Sequence, residues 1–175
     1  MSRSESVAQP DITSMTSGEL WAHHDALEAE AASLLGRMLF EFSRIDVNLG
    51  LCLVWVDGGV NLERLTPKVA AMTFHSKLLE LTKHVESKLP GGSKRRLAYD
   101  RWIERMNVAR VQRNELVHGR WGVEPRLNRV VNVIGMPTGD GQRTVQYSIE
   151  ELAAVNDELR WLLLELGRIR THWPL

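Results

Sequence analysis

Between Leu20 and Leu53 apolar residues return every three or four positions, through Leu27, Ala31, Leu34, Leu35, Met38, Phe42, Ile45, Leu49 and Cys52, with His24 on the same line. That period is one face of an α-helix, and a strand cannot produce it. Thr16 and Glu19 have capping-box spacing at the start of the run, and Asp57-Gly58-Gly59 ends it. A helix this long gives a small core more surface than it needs from one segment. The chain is therefore expected to be a helical bundle built on this element, which bends or leaves part of its surface to a partner.

The remaining segments fit that plan. Thr66-Pro67 reads as a hydroxyl N-cap followed by proline at the first helical position. It predicts a second helix with the stripe Ala70, Phe74, Leu78, Leu81 and Val85, stopped by Pro90-Gly91-Gly92. Ser93 is placed to cap a third helix from Lys94 to about His118, with Gly119 as its stop. Arg129–Ile134 and Thr144–Tyr147 are β-branched runs flanking a loop rich in Pro, Gly and Asp, which predicts a β-hairpin. A lone hairpin is marginal in water, so it must pack on the helices. Ser148 and Glu151 form a second capping box before a last helix striped with Leu152, Val155, Leu159, Leu162, Leu166 and Ile169. The expected fold class is all-α, a bundle of four to five helices with a β-hairpin inserted before the last. Residues 1–15 are read as a polar, frayed leader and residues 16–175 as a single domain.

Composition narrows the setting. One cysteine, Cys52, cannot form an internal disulfide and suits a reducing compartment. The first residues lack the apolar run of a signal peptide, and the longest apolar run, Leu51 to Val56, is too short to span a bilayer. A soluble, cytoplasmic protein with no membrane partner is expected. Its net charge of zero conceals an asymmetry. Residues 94–129 carry 10 Lys/Arg against 4 Asp/Glu, whereas acidic residues are in excess on both sides. Such a segment is either a footprint for a polyanion or a solvated helix paired with acidic neighbours.

On a helical wheel for the third helix, Tyr99, Trp102, Met106, Ala109, Leu116 and Val117 make the buried stripe. Arg113 falls almost at its centre. A guanidinium does not shed its charge to escape burial, so it must pair with a carboxylate or line a crevice reached by water or a ligand. Glu41 and Asp46 of the first helix are the carboxylates considered for such an ion pair. Asn107, Asn114 and His118 form a polar line beside the stripe, and Asn114 is one turn before His118, in reach of its imidazole. Arg113 and His118 are about 140° apart around the axis and flank a groove rather than touch.

The stretch Arg113-Asn114-Glu115-Leu116-Val117-His118 resembles the Arg-x4–6-His signature of the HEPN superfamily, with the polar residue that often follows the arginine there. The order of elements over roughly residues 20–170 is similar as well. The resemblance implies a homodimeric, metal-independent endoribonuclease without cofactors, commonly the toxin of a toxin–antitoxin or phage-defence system. Arg113 and His118 would be catalytic, supported by Asn114. In one branch of the family a tyrosine two residues after the histidine is modified by the antitoxin. Here that position is Arg120, so control by that route is not expected, and another antitoxin protein, or none, is allowed.

RNA cleavage suits these side chains. Attack of a ribose 2′-OH on the adjacent phosphate needs a base, an acid and positive charge for the developing phosphorane. An imidazole titrates near neutrality and can fill either proton-transfer role. A guanidinium grips phosphate through two N–H groups at once. Lys94, Arg95, Arg96, Arg101, Arg105, Arg110 and Arg120 would hold the flanking RNA backbone, and a two-fold dimer would bring two Arg–His pairs into one cleft. The alternative is a non-catalytic helical module for dimerisation or partner binding. No zinc motif, P-loop, dinucleotide fingerprint or nucleophile elbow is present, and no metal ligand set is expected. Trp121, just past the motif, is a candidate for stacking on a base, although tryptophans are more often core or interface anchors.

Overall fold

The computed structural model describes residues 15–175, so all but the last residue of the expected leader lies outside the described residues. Among the described residues five α-helices are seen: α1 (Ser17–Val54), α2 (Leu62–Ala70), α3 (Phe74–Lys88), α4 (Lys94–His118) and α5 (Ile149–His172). Between α4 and α5 lie the strands β1 (Arg120–Glu124), β2 (Arg129–Ile134) and β3 (Arg143–Tyr147), with one 3-10 turn at Pro125–Leu127. The fold is thus mostly helical with a small sheet before the last helix. None of the described helices is long and apolar enough to cross a membrane.

α1 is the spine. Its 38 residues span about 57 Å, and its predicted stripe is the buried one, with Ile45 and Leu49 fully enclosed. The Thr16–Glu19 capping box is formed: the Thr16 hydroxyl accepts from the Glu19 N–H, and the Glu19 carboxylate accepts from the Thr16 N–H. Leu159, Leu162 and Leu166 of α5 and Tyr99, Trp102 and Met106 of α4 complete the core. Two side-chain N–H donors fix the register between layers. The Trp102 indole donates to the Leu162 carbonyl (2.8 Å), and Asn156 donates to Leu34 of α1 (3.1 Å) as well as to Leu152 of its own helix (3.2 Å).

The second predicted helix is two helices. Thr66 is not an N-cap; its hydroxyl donates back to the Leu62 carbonyl (2.7 Å), and Pro67 lies inside α2. The cap of α3 is Thr73, whose hydroxyl oxygen accepts from the Ser76 N–H (3.2 Å). Gly58 and Gly59 make the preceding turn with positive φ, where the absence of a Cβ removes the steric penalty.

The predicted hairpin is the second half of a three-stranded antiparallel sheet in the order β1-β2-β3. Arg120-Trp121-Gly122-Val123-Glu124 has one aromatic and one β-branched residue either side of a glycine, too weak a pattern to announce a strand. Pairing with β2 makes it one, with Trp121 opposite Asn132 and Arg120 opposite Val133. Along β2 the residues turned to the helices are Val130 and Asn132, both buried.

The Ser148–Glu151 box caps α5. Ser148→Ala is expected to lower stability by about 1 kcal/mol, read as a lower urea midpoint with unchanged slope. Burial pushes the Cys52 thiol up to about 11 from an ordinary 9.0, the Arg170 charge opposing weakly. The raised value keeps the folded thiol neutral while an unfolded one ionises near its ordinary value. Stability is therefore expected to fall as pH rises from about 9 to 11, and alkylation of native Cys52 to stay slow up to pH ~9. A Cys52→Ala protein, compared over the same pH range, isolates this contribution.

Candidate functional site

The last turn of α4 is tied to the sheet by side chains. Among the carbonyls that a helix end leaves without intrahelical partners, that of Glu115 accepts from the Gly119 N–H (3.1 Å) and from the Asn132 amide (3.1 Å). The Leu116 carbonyl accepts from the Trp121 indole (2.8 Å). The Glu115 carboxylate is paired with Arg143 of β3. Three strands thus converge on the turn that carries the motif. Leu116, 2% exposed, roots that turn in the core.

Gly119 ends α4, as expected, but for a different reason. Its φ of −81° and ψ of 161° are extended, so no left-handed conformation calls for glycine. A Cβ at this position would lie 1.6 Å from Asn132 Oδ1. The glycine is there because the buried amide passes over it.

Arg113 is half-buried and rests on α1: its Cζ is 4.8 Å from the centroid of the Phe42 ring, which in turn contacts Phe74 at 4.5 Å. One of its terminal nitrogens donates to Asn114 Oδ1 (3.2 Å). Its Nε is buried and has no hydrogen-bond partner among the described residues. The ion pair with Glu41 or Asp46 is not made. Glu41 sits between Arg44 (3.0 Å) and Arg160 (3.8 Å), and Asp46 takes the buried Lys77 (2.7 Å). No described carboxylate lies within salt-bridge reach of Arg113. Stacking of a guanidinium on an aromatic face contributes about 0.5–2 kcal/mol and leaves the charge intact.

Asn114 is thus joined to Arg113, and no hydrogen bond links it to His118 among the described residues. His118 is the exposed final residue of α4. Asn107, the third member of the polar line, donates to its own helix at Ile103 (3.1 Å). Val117, assigned to the buried stripe, is 37% exposed, while Ile103, outside it, is buried.

The basic residues are strung along α4 rather than gathered at its end. Lys94 is about 36 Å from His118 along the axis and Arg101 about 25 Å. Arg96 is held by Asp100 and Glu86, and Arg105 by Glu158. Lys94, Arg95 and Arg101, like Arg120 at the start of β1, are exposed and make no ion pair among the described residues. Arg110, two-thirds of the way along α4, is half-buried, and its Nε is buried without a partner. Nearest the motif, then, the cations with no salt bridge among the described residues are Arg110, Arg113 and Arg120.

Trp121 is half-buried, hydrogen-bonded through its indole and packed against Tyr147 at 5.9 Å, so its ring is part of the scaffold. Burial, and next the charge of Glu115, push the Tyr147 hydroxyl above its ordinary range and keep it neutral. His24 is not enclosed in the core; its ring meets Asp25 (3.2 Å) and lies near Glu28 on the outer part of α1. One ligand atom from each of the three lies within 4.8 Å of the others, but Asp25 and Glu28 are exposed and the group reads as ordinary polar contacts on a helix surface. The chain matches no protein-family model, no curated protein and no solved structure.

Proposed function

We propose that this protein is a metal-independent endoribonuclease of toxin or phage-defence type, similar to the HEPN superfamily in its motif and helical bundle. The observation that carries the reading is the environment of Arg113. A guanidinium sits half-buried on Phe42 and Asn114, with no carboxylate among the described residues in salt-bridge reach, five residues before an exposed histidine. With Nε buried and one terminal nitrogen on Asn114, the other terminal nitrogen makes no hydrogen bond among the described residues and is the group left for an anion.

In this reading Arg113 holds the non-bridging oxygens of the scissile phosphate. The 2′-oxygen attacks phosphorus, the P–O5′ bond breaks, and the products carry a 2′,3′-cyclic phosphate and a 5′-hydroxyl. His118 takes the 2′ proton or delivers one to the leaving 5′-oxygen. A second copy related by a two-fold axis would bring a second imidazole for the complementary step. Arg110 and Arg120 would hold the adjoining RNA backbone. The setting is cytoplasmic, with RNA and a second copy as partners and an antitoxin protein as a further one.

The test is incubation of the purified protein with RNA in EDTA, with analysis of product ends. Cyclic phosphate ends that require both Arg113 and His118 are expected. Cleavage abolished by EDTA would remove the metal-free reaction. A second reading, a non-catalytic dimerisation or partner-binding module, is favoured by the exposed apolar residues on the outer side of α1. Phe40 is 69% exposed, Val47 58% and Leu51 44%. Absence of cleavage together with a stable dimer would support it.

A further inference from the structure

At the opposite end of α4 from His118, a groove of about 280 Å³ runs between the first half of α4 and the second half of α5. One wall carries Lys94 and Arg101 with Leu97 between them; the other carries Trp161, Glu165 and Arg168, and Trp173 closes the end. The spacings 94-97-101 and 161-165-168 put each set on one face of its helix.

The Trp161 indole and the Trp173 backbone are held in place. Arg105 stacks on Trp161 with its Cζ 3.8 Å from the ring centroid, and Glu158 fixes Arg105 through two hydrogen bonds (3.0 and 2.5 Å). Arg105 does not line the groove, so Trp161 offers it another part of its surface. Trp173 is pinned by its backbone: its carbonyl accepts from the buried Tyr99 hydroxyl (3.0 Å), and its N–H donates to Ile169 (2.8 Å). The charges differ in their commitments. Arg168 is bound by Glu165 through two hydrogen bonds of 2.7 Å. Lys94 and Arg101 are exposed and make no ion pair among the described residues.

A concave apolar slot bounded by two indoles, one of them stacked in place, with two cations at its rim that make no ion pair among the described residues, matches a flat aromatic ring attached to an anion. We infer that this groove is a subsite for single-stranded RNA, taking one unpaired base against Trp161 and Trp173 and the adjoining phosphates on Lys94 and Arg101. Stacking on aromatic side chains combined with cations along the backbone is how unpaired strands are held without sequence preference. An acidic peptide would satisfy the cations but leave the two indoles unused. The inference rests on the ribonuclease reading only for RNA as the ligand; it requires no catalysis. The subsite is about 25 Å from His118, so a strand filling both runs along α4.

The experiment uses the full chain carrying His118→Ala, in EDTA, with fluorescein-labelled dodecauridylate and anisotropy as the readout. Arg101→Glu and Trp161→Ala in this background are each expected to weaken binding about tenfold or more. Both positions are exposed, and thermal melts check that the variants fold. Arg64→Glu, the same charge change on α2, is expected to stay within about twofold. Unchanged binding in Arg101→Glu and Trp161→Ala overturns the inference, as does an equal loss in Arg64→Glu. Displacement of the strand by poly-glutamate at matched concentration assigns the groove to acidic protein instead, and displacement by UMP as effective as by the strand assigns it to a free nucleotide; either overturns the inference. Binding lost in both groove variants of a protein that never cleaves RNA sinks the nuclease reading and sustains the subsite. Cleavage by wild type with normal binding in both variants does the reverse.

Discussion

Replacing His118 by alanine is expected, on the proposed ribonuclease reading, to lower RNA cleavage about 10²–10⁴-fold, the usual contribution of a positioned proton-transfer group. Stability should change by no more than about 0.5 kcal/mol, because the side chain is exposed and makes no hydrogen bond among the described residues. The pairing of a large kinetic loss with an unmoved urea midpoint is what separates chemistry from structure. Arg113 needs a gentler variant, since its stem packs on Phe42 and truncation would disturb the bundle. Arg113→Lys keeps the charge and most of the stem but loses the planar fork, and about a 10²-fold fall in rate is expected. Initial rates on a labelled RNA in EDTA, set beside urea denaturation of the same samples, decide both. Wild-type rates in His118→Ala would end the assignment of that residue.

Gly119→Ala should be the most damaging small substitution near the motif. The new methyl would meet Asn132 Oδ1 at 1.6 Å, and Asn132 is fully buried with its amide on the Glu115 carbonyl. Overpacking costs about 1–3 kcal/mol, and the hydrogen bond lost when the amide is displaced adds about 1–3 kcal/mol. A destabilisation of about 3 kcal/mol is expected, read from urea denaturation. Shortening the obstructing side chain supplies the control. In an Asn132→Ala background the cost of Gly119→Ala should fall below about 1 kcal/mol, a coupling that a double-mutant cycle measures directly. If the two substitutions add independently, the close approach is not what limits position 119.

The helices were legible where a hydroxyl cap and an apolar stripe agreed. Thr16, Ser93 and Ser148 each cap the helix that their spacing announces. Thr66-Pro67 misled because proline favours a first helical turn but does not demand one; here the Thr66 hydroxyl bonds within a short helix already under way. β1 was invisible because its strand character comes from its neighbour across the ladder, which local composition does not encode. The placement of Arg113 against the buried stripe was readable from periodicity, but its neighbour was not. Choosing between a carboxylate and a phenyl ring depends on how α1 is rotated, and on Lys77 and Arg160 reaching Asp46 and Glu41. The tether from Asn132 to α4 joins residues 17 apart in the chain, and a buried asparagine in a β-branched run was its sole hint.

The spine helix has a consequence for how the protein is made. α1 is synthesised first among the described elements, yet its most extensive contacts are with α5, the last. While the ribosome works through the intervening residues, the nascent chain displays a greasy ridge whose natural cover does not yet exist. Contacts closed over such sequence separations form slowly and expose intermediates to aggregation. Chaperone dependence during translation, and poor yield when synthesis outpaces docking of the C-terminal helix, are the expected signs.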